Sequence, residues 1–451
     1  MPVNIGNQVA PYTITTIDTY FLAQTDLVIT PAGGGTVNNG ILNEDQVGAE
    51  MIVAGTVIAG NVGLRANADG DETRMLITAT GVVVGQRWGI AVDVGNVDTI
   101  ITNHGNISGY EQSGIGILSD NTAIINTGSV NGIINGVYFL SNSSSGTLTN
   151  SGTISGGNGV SVEAAGTVIT NSGSIFADGS TGASGYGITT DGNDLNVTNT
   201  GTIAGEGAAI LGGTGIDFIS NSGTLAGNVI LGGEDDTYIG SGDGVVTGIL
   251  SLGAGDDYAQ LGNAGGHVQA NSGDDTIRGG TGSDEIEGGN ENDDIRGRAG
   301  ADILNGGDGN DIIRAGRGDD IADGGAGNDF MRGGAGEDIL IGGLGQDTMY
   351  GNAGADVFQF NTASESTNAG AAWDRIMDFT QGQDLIDLSA FNARFIGTGA
   401  YAANGNIAEV RIFEDPNGDT RVFVDVNADG TSDMRFYLVN TLGVTADDFI
   451  L

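Results

Sequence analysis

Aspartate recurs every nine residues in the C-terminal half of this 451-residue chain. Ten consecutive segments between residues 270 and 359, from ANSGDDTIR to GNAGADVFQ, carry Asp as the sixth residue and an apolar residue as the eighth. Most segments are rich in Gly over their first four residues, so each Asp follows a turn that exposes backbone carbonyls. Carboxylate and carbonyl oxygens are the hard ligands that calcium takes in sets of six to eight. The spacing therefore predicts an array of calcium sites.

Short strands must position these aspartates, because each turn is followed by an apolar residue between two variable ones. Two segments form one flattened coil, so successive turns alternate between two edges. One edge carries Asp275, Asp293, Asp311, Asp329 and Asp347, and the other carries Asp284, Asp302, Asp320, Asp338 and Asp356. Ions shared between neighbouring turns give on the order of eight sites. Without calcium, the stacked carboxylates would repel one another and unfold the roll.

Some segments depart from the pattern. Glu291 replaces the fourth-position Gly of one segment and Arg298 the second-position Gly of the next, so we expect those turns to bind weakly. Upstream, LGGEDDTYI at 231–239 and LGAGDDYAQ at 252–260 keep the sixth-position residues Asp236 and Asp257, whereas LGNAGGHVQ at 261–269 has Gly266 there. We predict that Asp236 and Asp257 also bind calcium.

Another group of oxygen ligands lies near the C-terminus, in DVNADGTSD. Asp425, Asn427, Asp429 and Asp433 have the spacing of an EF-hand loop but lack its terminal Glu. Two interpretations stay open for this stretch, a further calcium loop and a plain hairpin turn.

A longer repeat occupies the N-terminal half. The phrase Asn-x-Gly returns at spacings of 21 to 28 residues, with its Asn at 103, 126, 150, 171, 199 and 221. Short β-branched runs without helical periodicity predict a solenoid with three strands per coil. Stacking then places Asn over Asn about 4.8 Å apart, so that their amides bond one another. We expect each Asn to occupy a left-handed bend and the following Gly to allow the turn.

Composition and charge exclude several classes of function. The formal net charge is −43 and all 14 basic residues are Arg, so the surface repels nucleic acid and anionic membranes and attracts divalent cations. There is no Cys, and no apolar run reaches the roughly 18 residues of a membrane span, so we expect no membrane insertion. The first residues, MPVNIGNQVAPYTITT, lack the basic and apolar regions of a cleaved signal peptide.

These patterns together predict an all-β solenoid in three domains. We expect a parallel β-helix with coils of about 22 residues over 1–245, a calcium-binding β-roll over 246–360, and a β-rich C-terminal cap over 361–451. The β-helix is predicted to continue into the β-roll.

The nine-residue segments resemble the nonapeptide repeats of RTX proteins, which bind calcium. The stretches 371–392 and 422–439 and the ending DDFIL at 447–451 are similar to the C-terminal domain of serralysin-type proteases and other RTX exoproteins. This resemblance implies a signal at Asp447–Leu451 for a type I export machinery, and a secreted or cell-surface protein of a Gram-negative bacterium. The protease is not implied, because no HExxH motif is present.

Three functions remain from the sequence. The first is a calcium-folded structural protein that self-associates into a surface layer or extracellular matrix, with itself and a surface polysaccharide as candidate partners. The second is an exported β-helix polysaccharide lyase or epimerase, similar in layout to the alginate epimerases. Few basic groups are available to build its active site, so we predict no enzyme. The third is an adhesin or ice-binding solenoid, indicated by a Thr column at positions 102, 149, 170 and 198.

Two outward columns of the roll are candidate contacts for self-association. Ninth positions on one face read Arg278, Arg296, Arg314, Arg332 and Tyr350, and seventh positions on the other read Ile303, Ile321, Ile339 and Val357. Stacked like charges are costly unless anions neutralise them, and an exposed apolar stripe usually marks a contact. The alternative is that Arg keeps the edge soluble and Ile favours strands.

Overall fold

A computed structural model describes residues 50–67, 73–93, 98–140, 145–179, 185–367, 373–401 and 407–451, together with the backbone of five short strands before residue 45. The chain divides into two compact units, Met1–Ser251 and Leu252–Leu451. Within the described residues, helix is limited to the 3-10 segments Ser389–Phe391 and Ala446–Asp448. No helix among them has the length and apolar character needed to cross a bilayer.

The N-terminal unit is a parallel β-helix whose coils each contribute one strand to each of three sheets. The first sheet contains Val3–Asn4, Tyr20–Ala23, Glu50–Val53, Arg74–Ile77, Ile100–Asn103, Ala123–Asn126, Thr147–Asn150, Val168–Asn171, Asn196–Asn199, Phe218–Asn221 and Thr237–Gly240. The second contains Leu27–Ile29, Thr56–Ala59, Val82–Gly85, Asn106–Gly109, Ser129–Gly132, Thr153–Gly156, Ser174–Ala177, Thr202–Ala204, Thr224–Ala226 and Val245–Val246. The third contains Tyr12–Ile14, Ile41–Glu44, Val62–Asn67, Trp88–Val92, Ser113–Ile117, Asn135–Phe139, Asn158–Val162, Tyr186–Thr190, Ala208–Leu211 and Val229–Gly233.

The core of this unit consists of stacked aliphatic side chains. Burial alternates along the strands, as in Ile100–Asn103, because successive side chains point to opposite faces of a sheet. Each sheet therefore contributes an inward column of fully buried residues, for example Ile101, Ile124, Leu148, Ile169, Val197 and Ile219 in the first sheet.

The predicted Asn ladder is present at one corner. Asn150 accepts a hydrogen bond from Asn126 Nδ2 at 2.7 Å and donates one to Asn171 Oδ1 at 2.7 Å. The expectation of a left-handed bend is wrong, because each ladder Asn is the last residue of a strand and is buried. The following Gly is required by the close approach of coils, since a Cβ at Gly128 would lie 2.1 Å from the carbonyl oxygen of Gly105.

The C-terminal unit contains two parallel ladders of strands, as predicted for a β-roll. The first contains Tyr258–Gln260, Thr276–Arg278, Asp294–Ala299, Ile312–Arg317, Phe330–Ala335, Thr348–Ala353 and Arg375–Ile376. The second contains His267–Ser272, Glu285–Asn290, Ile303–Asp308, Ile321–Gly327, Ile339–Ile341, Leu344–Gly345, Val357–Gln359, Leu385–Asp387 and Phe449–Ile450. The strand Ile249–Ala254 includes the division between the units.

The last residues form an antiparallel sheet. Glu409–Glu414, Thr420–Asp425 and Met434–Leu438 pair in antiparallel order, and Arg394–Gly397 pairs in parallel with the first of them. Phe360 and Phe436 stack with ring centroids 4.4 Å apart, so this sheet packs against the end of the roll. The prediction of an all-β solenoid with a parallel β-helix, a β-roll and β-rich C-terminal residues is confirmed, whereas the predicted boundaries 245 and 360 stay predictions.

Candidate calcium centre

Each repeat aspartate lies where a Gly-rich turn enters a strand. Asp293 directly precedes the strand Asp294–Ala299, whose Ile295 is fully buried. The backbone carbonyl of Asp293 accepts a hydrogen bond from the N–H of Ile312 at 2.8 Å, so the parallel sheet fixes the position of the residue. Its side chain is 2 % exposed and lies inside the turn.

The carboxylates form two ladders, one along each edge of the roll. Asp275 N–H donates to Asp293 Oδ1 at 2.8 Å, and Asp293 N–H donates to Asp311 Oδ1 at 2.8 Å. On the other edge, Asp302 N–H donates to Asp320 Oδ1 at 2.8 Å in the same way. The predicted alternation of the ten aspartates between two edges is therefore confirmed, with partners 18 residues apart.

In nine of these ten residues the second carboxylate oxygen is buried and receives no hydrogen bond from any described residue, whereas Asp284 Oδ2 accepts from Gly280 N–H at 2.8 Å. This holds for Oδ2 of Asp275, Asp293, Asp302, Asp311, Asp320, Asp329, Asp338, Asp347 and Asp356. A buried anionic oxygen without a donor is costly, and a cation in contact with it removes that cost. The donor set of carboxylate and turn carbonyl oxygens suits calcium, so these residues fit the ion that the sequence predicts.

In eight of the ten repeats the first residue is a Gly that leaves room for the carboxylate. A Cβ at Gly288 would lie 2.3 Å from Asp293 Oδ2, and one at Gly306 would lie 2.2 Å from Asp311 Oδ2. A larger side chain at Gly288 or Gly306 would displace the carboxylate, because real Cβ atoms do not approach an oxygen so closely. Ala270 and Ala315 show that a methyl group is accommodated at the same position before Asp275 and Asp320. The Gly and the Asp five residues later therefore build the pocket together.

Comparison with known families agrees with this geometry. Residues 261–295, 269–304, 287–322, 296–331 and 323–358 match the RTX calcium-binding nonapeptide repeat. Residues 261–358 are RTX repeats. They bind calcium, and the ladders of buried carboxylates are the feature that suits them to it.

Similar solved structures include two repeat subunits of the mannuronan C5-epimerase of Azotobacter vinelandii. The AlgE6R2 subunit is 25% identical over 33% of this chain and 87% of its own, with a TM-score of 0.23. The AlgE6R3 subunit is 27% identical over 38% of this chain and 78% of its own, with a TM-score of 0.16. No curated protein matches the chain.

Burial raises the pKa of the RTX aspartates. Desolvation, together with the charges of neighbouring carboxylates, raises the pKa of Asp293 to about 8 and that of Asp275 to about 7. On the other edge, desolvation raises the pKa of Asp284 to about 6. These carboxyls bind protons readily when no cation is near, so protons and calcium compete for the same oxygens.

The two irregular RTX repeats keep the shape of their turns. Arg298 has a φ of 79° and Glu291 a φ of 71°, the left-handed region that Gly307 and Gly309 occupy with φ values of 109° and 146°. For a residue with a Cβ this conformation costs roughly 1–2 kcal/mol. Whether these turns bind calcium weakly stays a prediction, but the structure gives a reason for expecting lower stability there.

Sequence spacing missed the residues that end both ladders. Asp347 N–H donates to Asp374 Oδ1 at 2.9 Å, and Asp356 N–H donates to Asp384 Oδ1 at 3.1 Å. Asp374 and Asp384 follow 27 and 28 residues after their partners, so a nine-residue register does not find them. The signal that remains is local, an Asp with an apolar residue two positions later in DRI and DLI.

The upstream aspartates are buried like the repeat aspartates, although Leu231 and Leu252 take the place of the first Gly. Asp257 is 2 % exposed, and its N–H donates to Asp275 Oδ1 at 2.7 Å. Asp236, in the N-terminal unit, is 1 % exposed and accepts a hydrogen bond at Oδ1. Both stay predicted calcium ligands, as do the ten repeat aspartates individually.

The EF-hand-like residues lie in a different setting. Asp425, Asn427, Asp429 and Asp433 occupy the end of one antiparallel strand and its connection to the next. Asp425 Oδ2 accepts from Gly430 N–H at 2.8 Å, and Asp433 Oδ2 accepts from Val426 N–H at 2.8 Å. Because loop N–H groups already satisfy these oxygens, the residues lack the feature that fits the RTX ladders to calcium. The structure shows a hairpin at these residues, and calcium binding by its loop stays a prediction.

A polar and aromatic groove lies on the outer face of the β-helix. The rings of Trp88 and Tyr138 are nearly parallel, at 8°, with centroids 6.4 Å apart. Trp88 fits against Gly116, where a Cβ would lie 1.6 Å from the ring. Gln112, Ser113 and Asn135 line a cavity of about 220 Å³ on one side of Trp88, and Arg65, Arg87 and Asp93 line one of about 190 Å³ on the other. The sequence does not predict this groove, because its residues come from successive coils.

Proposed function

We propose that this protein is a secreted structural protein that folds on binding calcium and then self-assembles into a surface layer or an extracellular matrix. RTX repeats support the calcium dependence. The repeats fill most of the C-terminal unit before the antiparallel sheet, so the ion stabilises the scaffold itself.

The observation that carries self-assembly is an exposed apolar column on the roll. Ile303, Ile321, Ile339 and Val357 stack in register on adjacent strands. Ile303 is 51% exposed and Ile321 is 39% exposed, whereas Ile339 and Val357 are half-buried. A continuous apolar stripe on an acidic surface favours association with another apolar surface, and a second copy of this chain carries the same stripe.

The Arg column is a weaker candidate for the same contact. Arg296 and Arg314 both pair with Asp294, at 2.8 and 2.7 Å, and Arg332 lies over the rings of Phe330 and Tyr350. Asp294 therefore neutralises part of the charge of this column, and the aromatic rings pack against Arg332. We therefore place assembly on the apolar column.

The test replaces the two most exposed isoleucines of this column, Ile303 and Ile321, with Thr, which keeps strand propensity and removes the apolar surface. The variant Ile303→Thr/Ile321→Thr should form smaller particles in calcium by light scattering and should lose ordered arrays in electron micrographs. Ile312→Thr is a matched control, since Ile312 is 37% exposed at the same repeat position but belongs to the other ladder of strands. Undiminished assembly of the double variant would reject this surface.

Export through a type I machinery is the second element of the proposal, and it rests on the resemblance of the C-terminal residues to RTX exoproteins. Asp448 is 2 % exposed, and its carboxylate accepts hydrogen bonds from Thr445 N–H and Gly382 N–H. Deleting Asp447–Leu451 should leave the protein inside the cell. The deletion also removes these contacts, so a control must show that the shortened protein still folds: once purified, it should recover the strand signal of its circular dichroism spectrum in calcium. Normal secretion of the shortened protein would mean that the export signal lies elsewhere.

A second candidate function is binding of a polysaccharide, and the groove around Trp88 favours it. Flat aromatic rings pack against sugar faces, amide side chains bond hydroxyl groups, and Arg pairs with carboxylates. Arg87 is exposed beside Trp88, whereas Arg65 is paired with Asp93 at 2.6 Å. We propose binding and not catalysis. The Thr column of the adhesin alternative is interrupted by Ile125, so it gives no regular array.

Tryptophan fluorescence tests this candidate directly. The chain has two Trp residues, so the variant Trp373→Phe leaves Trp88 as the single reporter. A uronate oligosaccharide should change its emission, a neutral glucose oligosaccharide should do so less, and Arg87→Gln should reduce the preference for the acidic sugar. No response to either sugar would remove the polysaccharide as a partner of this groove.

A further inference from the structure

An unmatched segment of the N-terminal unit has the form of an RTX repeat. Residues 212–220 read GGTGIDFIS, with Gly at the first, second and fourth positions, Asp217 at the sixth and Ile219 at the eighth. The segment precedes residue 261, where the family match begins, and it belongs to the β-helix.

The carboxylate of Asp217 is placed like those of the RTX ladders. Asp217 is 0% exposed, and its Oδ1 accepts from Leu195 N–H at 2.8 Å. Its own N–H donates to Asp236 Oδ1 at 2.7 Å, as Asp293 N–H donates to Asp311 Oδ1. The contacts of Oδ1 and of the backbone thus repeat those of the roll.

The second oxygen of Asp217 also repeats the RTX arrangement. Oδ2 is buried and meets no hydrogen-bond donor among the residues that the structure describes. A Cβ at Gly212, five residues earlier, would lie 2.1 Å from this oxygen, which compares with 2.2 Å for Gly306 and Asp311 Oδ2. Gly212 and Asp217 therefore form the same kind of pocket, with the same unsatisfied anionic oxygen.

The neighbouring coil explains why the ladder begins here. Ile216 N–H donates to Asp194 Oδ1 at 3.0 Å, the contact that Asn292 N–H makes with Asp274 Oδ1 at 2.9 Å in the roll. The residue after Asp194 is Leu195, which is 1 % exposed. Its N–H donates to Asp217 Oδ1, so it occupies the position that a ladder Asp would take in the coil before Asp217. Asp217 is thus the first carboxylate of its ladder in the β-helix.

We propose that the turn Gly212–Asp217 binds calcium, with the Asp217 carboxylate as a ligand, so that calcium orders the last coils of the β-helix. The strand that follows, Phe218–Asn221, ends in Asn221, whose Oδ1 accepts a hydrogen bond from Asn199 Nδ2 at 2.9 Å. An ion at Asp217 would hold one end of this strand while the Asn ladder holds the other. The β-helix is then calcium-dependent at one end only.

The test uses the full chain and does not depend on assembly or secretion. Asp217→Asn keeps Oδ1 as an acceptor for Leu195 N–H and removes the negative charge, and Asp243→Asn is the control at an exposed site in the same unit. Bound calcium is counted by elemental analysis after dialysis. We expect the Asp217 variant to lose one ion per chain and the control to lose none; an unchanged count in the Asp217 variant overturns the proposal.

Hydrogen exchange of the wild-type chain gives a readout that needs no variant. Adding calcium should slow amide exchange in the strands Asn196–Asn199 and Phe218–Asn221, and should leave Ile100–Asn103 unchanged. Asp217→Asn should abolish the slowing at 196–221 while the RTX repeats keep theirs. Exchange at 196–221 that is indifferent to calcium in the wild type overturns the proposal, even if the variant fails to fold.

Discussion

Replacing Asp311 separates its role as a calcium ligand from its role as a hydrogen-bond acceptor. Asp311 is 1 % exposed, its Oδ1 accepts from Asp293 N–H at 2.8 Å, and its Oδ2 meets no donor from the described residues. Desolvation raises the pKa of Asp311, because the charged form is unfavourable in the turn without a cation. Asp311→Asn keeps the acceptor and removes the charge, whereas Asp311→Ala removes both.

The two variants should respond differently to calcium. In chelator, at a pH high enough to ionise Asp311, Asp311→Asn removes a buried charge, so the roll should be at least as ordered as in the wild type. In calcium the same variant should be less stable, because one ligand is lost. Asp311→Ala should be less stable than Asp311→Asn in both conditions by about 1–3 kcal/mol, since the N–H of Asp293 is left buried without an acceptor.

Hydrogen exchange of the strands Asp294–Ala299 and Ile312–Arg317, with and without calcium, measures these effects locally, which suits a protein of two units. Glu285→Gln, at an exposed strand position in another repeat of the roll, is the control. Destabilisation by Asp311→Asn of equal size in chelator and in calcium would refute the reasoning, because the charge would then have no connection with the ion.

Three further predictions concern other parts of the chain. Because the pKa of Asp293 is raised to about 8, from about 4 in an unfolded chain, the calcium-free roll holds more protons than the unfolded chain. Its stability in chelator should thus be highest in acid and fall as the pH rises towards 8, whereas calcium affinity should rise; circular dichroism across pH checks both. Arg298→Gly should raise the denaturation midpoint in calcium by the equivalent of about 1 kcal/mol, since it relieves a left-handed φ of 79°; an unchanged midpoint contradicts this. Asn150→Ala should destabilise the β-helix by about 1–3 kcal/mol per unpaired amide regardless of calcium, measured against the exposed Thr149→Ala.

The sequence predicts best what has a constant period. Nine-residue spacing predicts both aspartate ladders, because two turns per coil place every second Asp on the same edge. Asp374 and Asp217 escape that search because they lie in coils of other lengths, although each makes the same N–H to Oδ1 contact. The hydrogen bond from the N–H of one Asp to Oδ1 of the Asp in the next coil is present in coils of different lengths. A fixed spacing in the sequence finds it only where successive coils have the same length.

Side-chain partners between coils are harder to predict. The role of Asp294 as counter-ion for Arg296 and Arg314 depends on which seventh and ninth positions share a face. The groove at Trp88 depends on the register of three successive coils, because that register brings Gly116 and Tyr138 next to Trp88. The sequence also suggested the wrong reason for the Asn–Gly phrase. A Gly is needed both where φ is positive and where two coils lie too close for a Cβ, so the residue type alone does not tell which of the two applies.

The aspartate ladders have a direction. Every carboxylate accepts from the coil before it, so each coil depends on the next one for an acceptor. The series ends at Asp374, whose N–H donates to the hydroxyl of Ser366 at 3.1 Å, and at Asp384, whose N–H donates to Thr380 O at 2.9 Å. These two residues need no further coil, so they can order first. Folding of the roll is therefore expected to nucleate beside the antiparallel sheet and to proceed coil by coil towards the N-terminus.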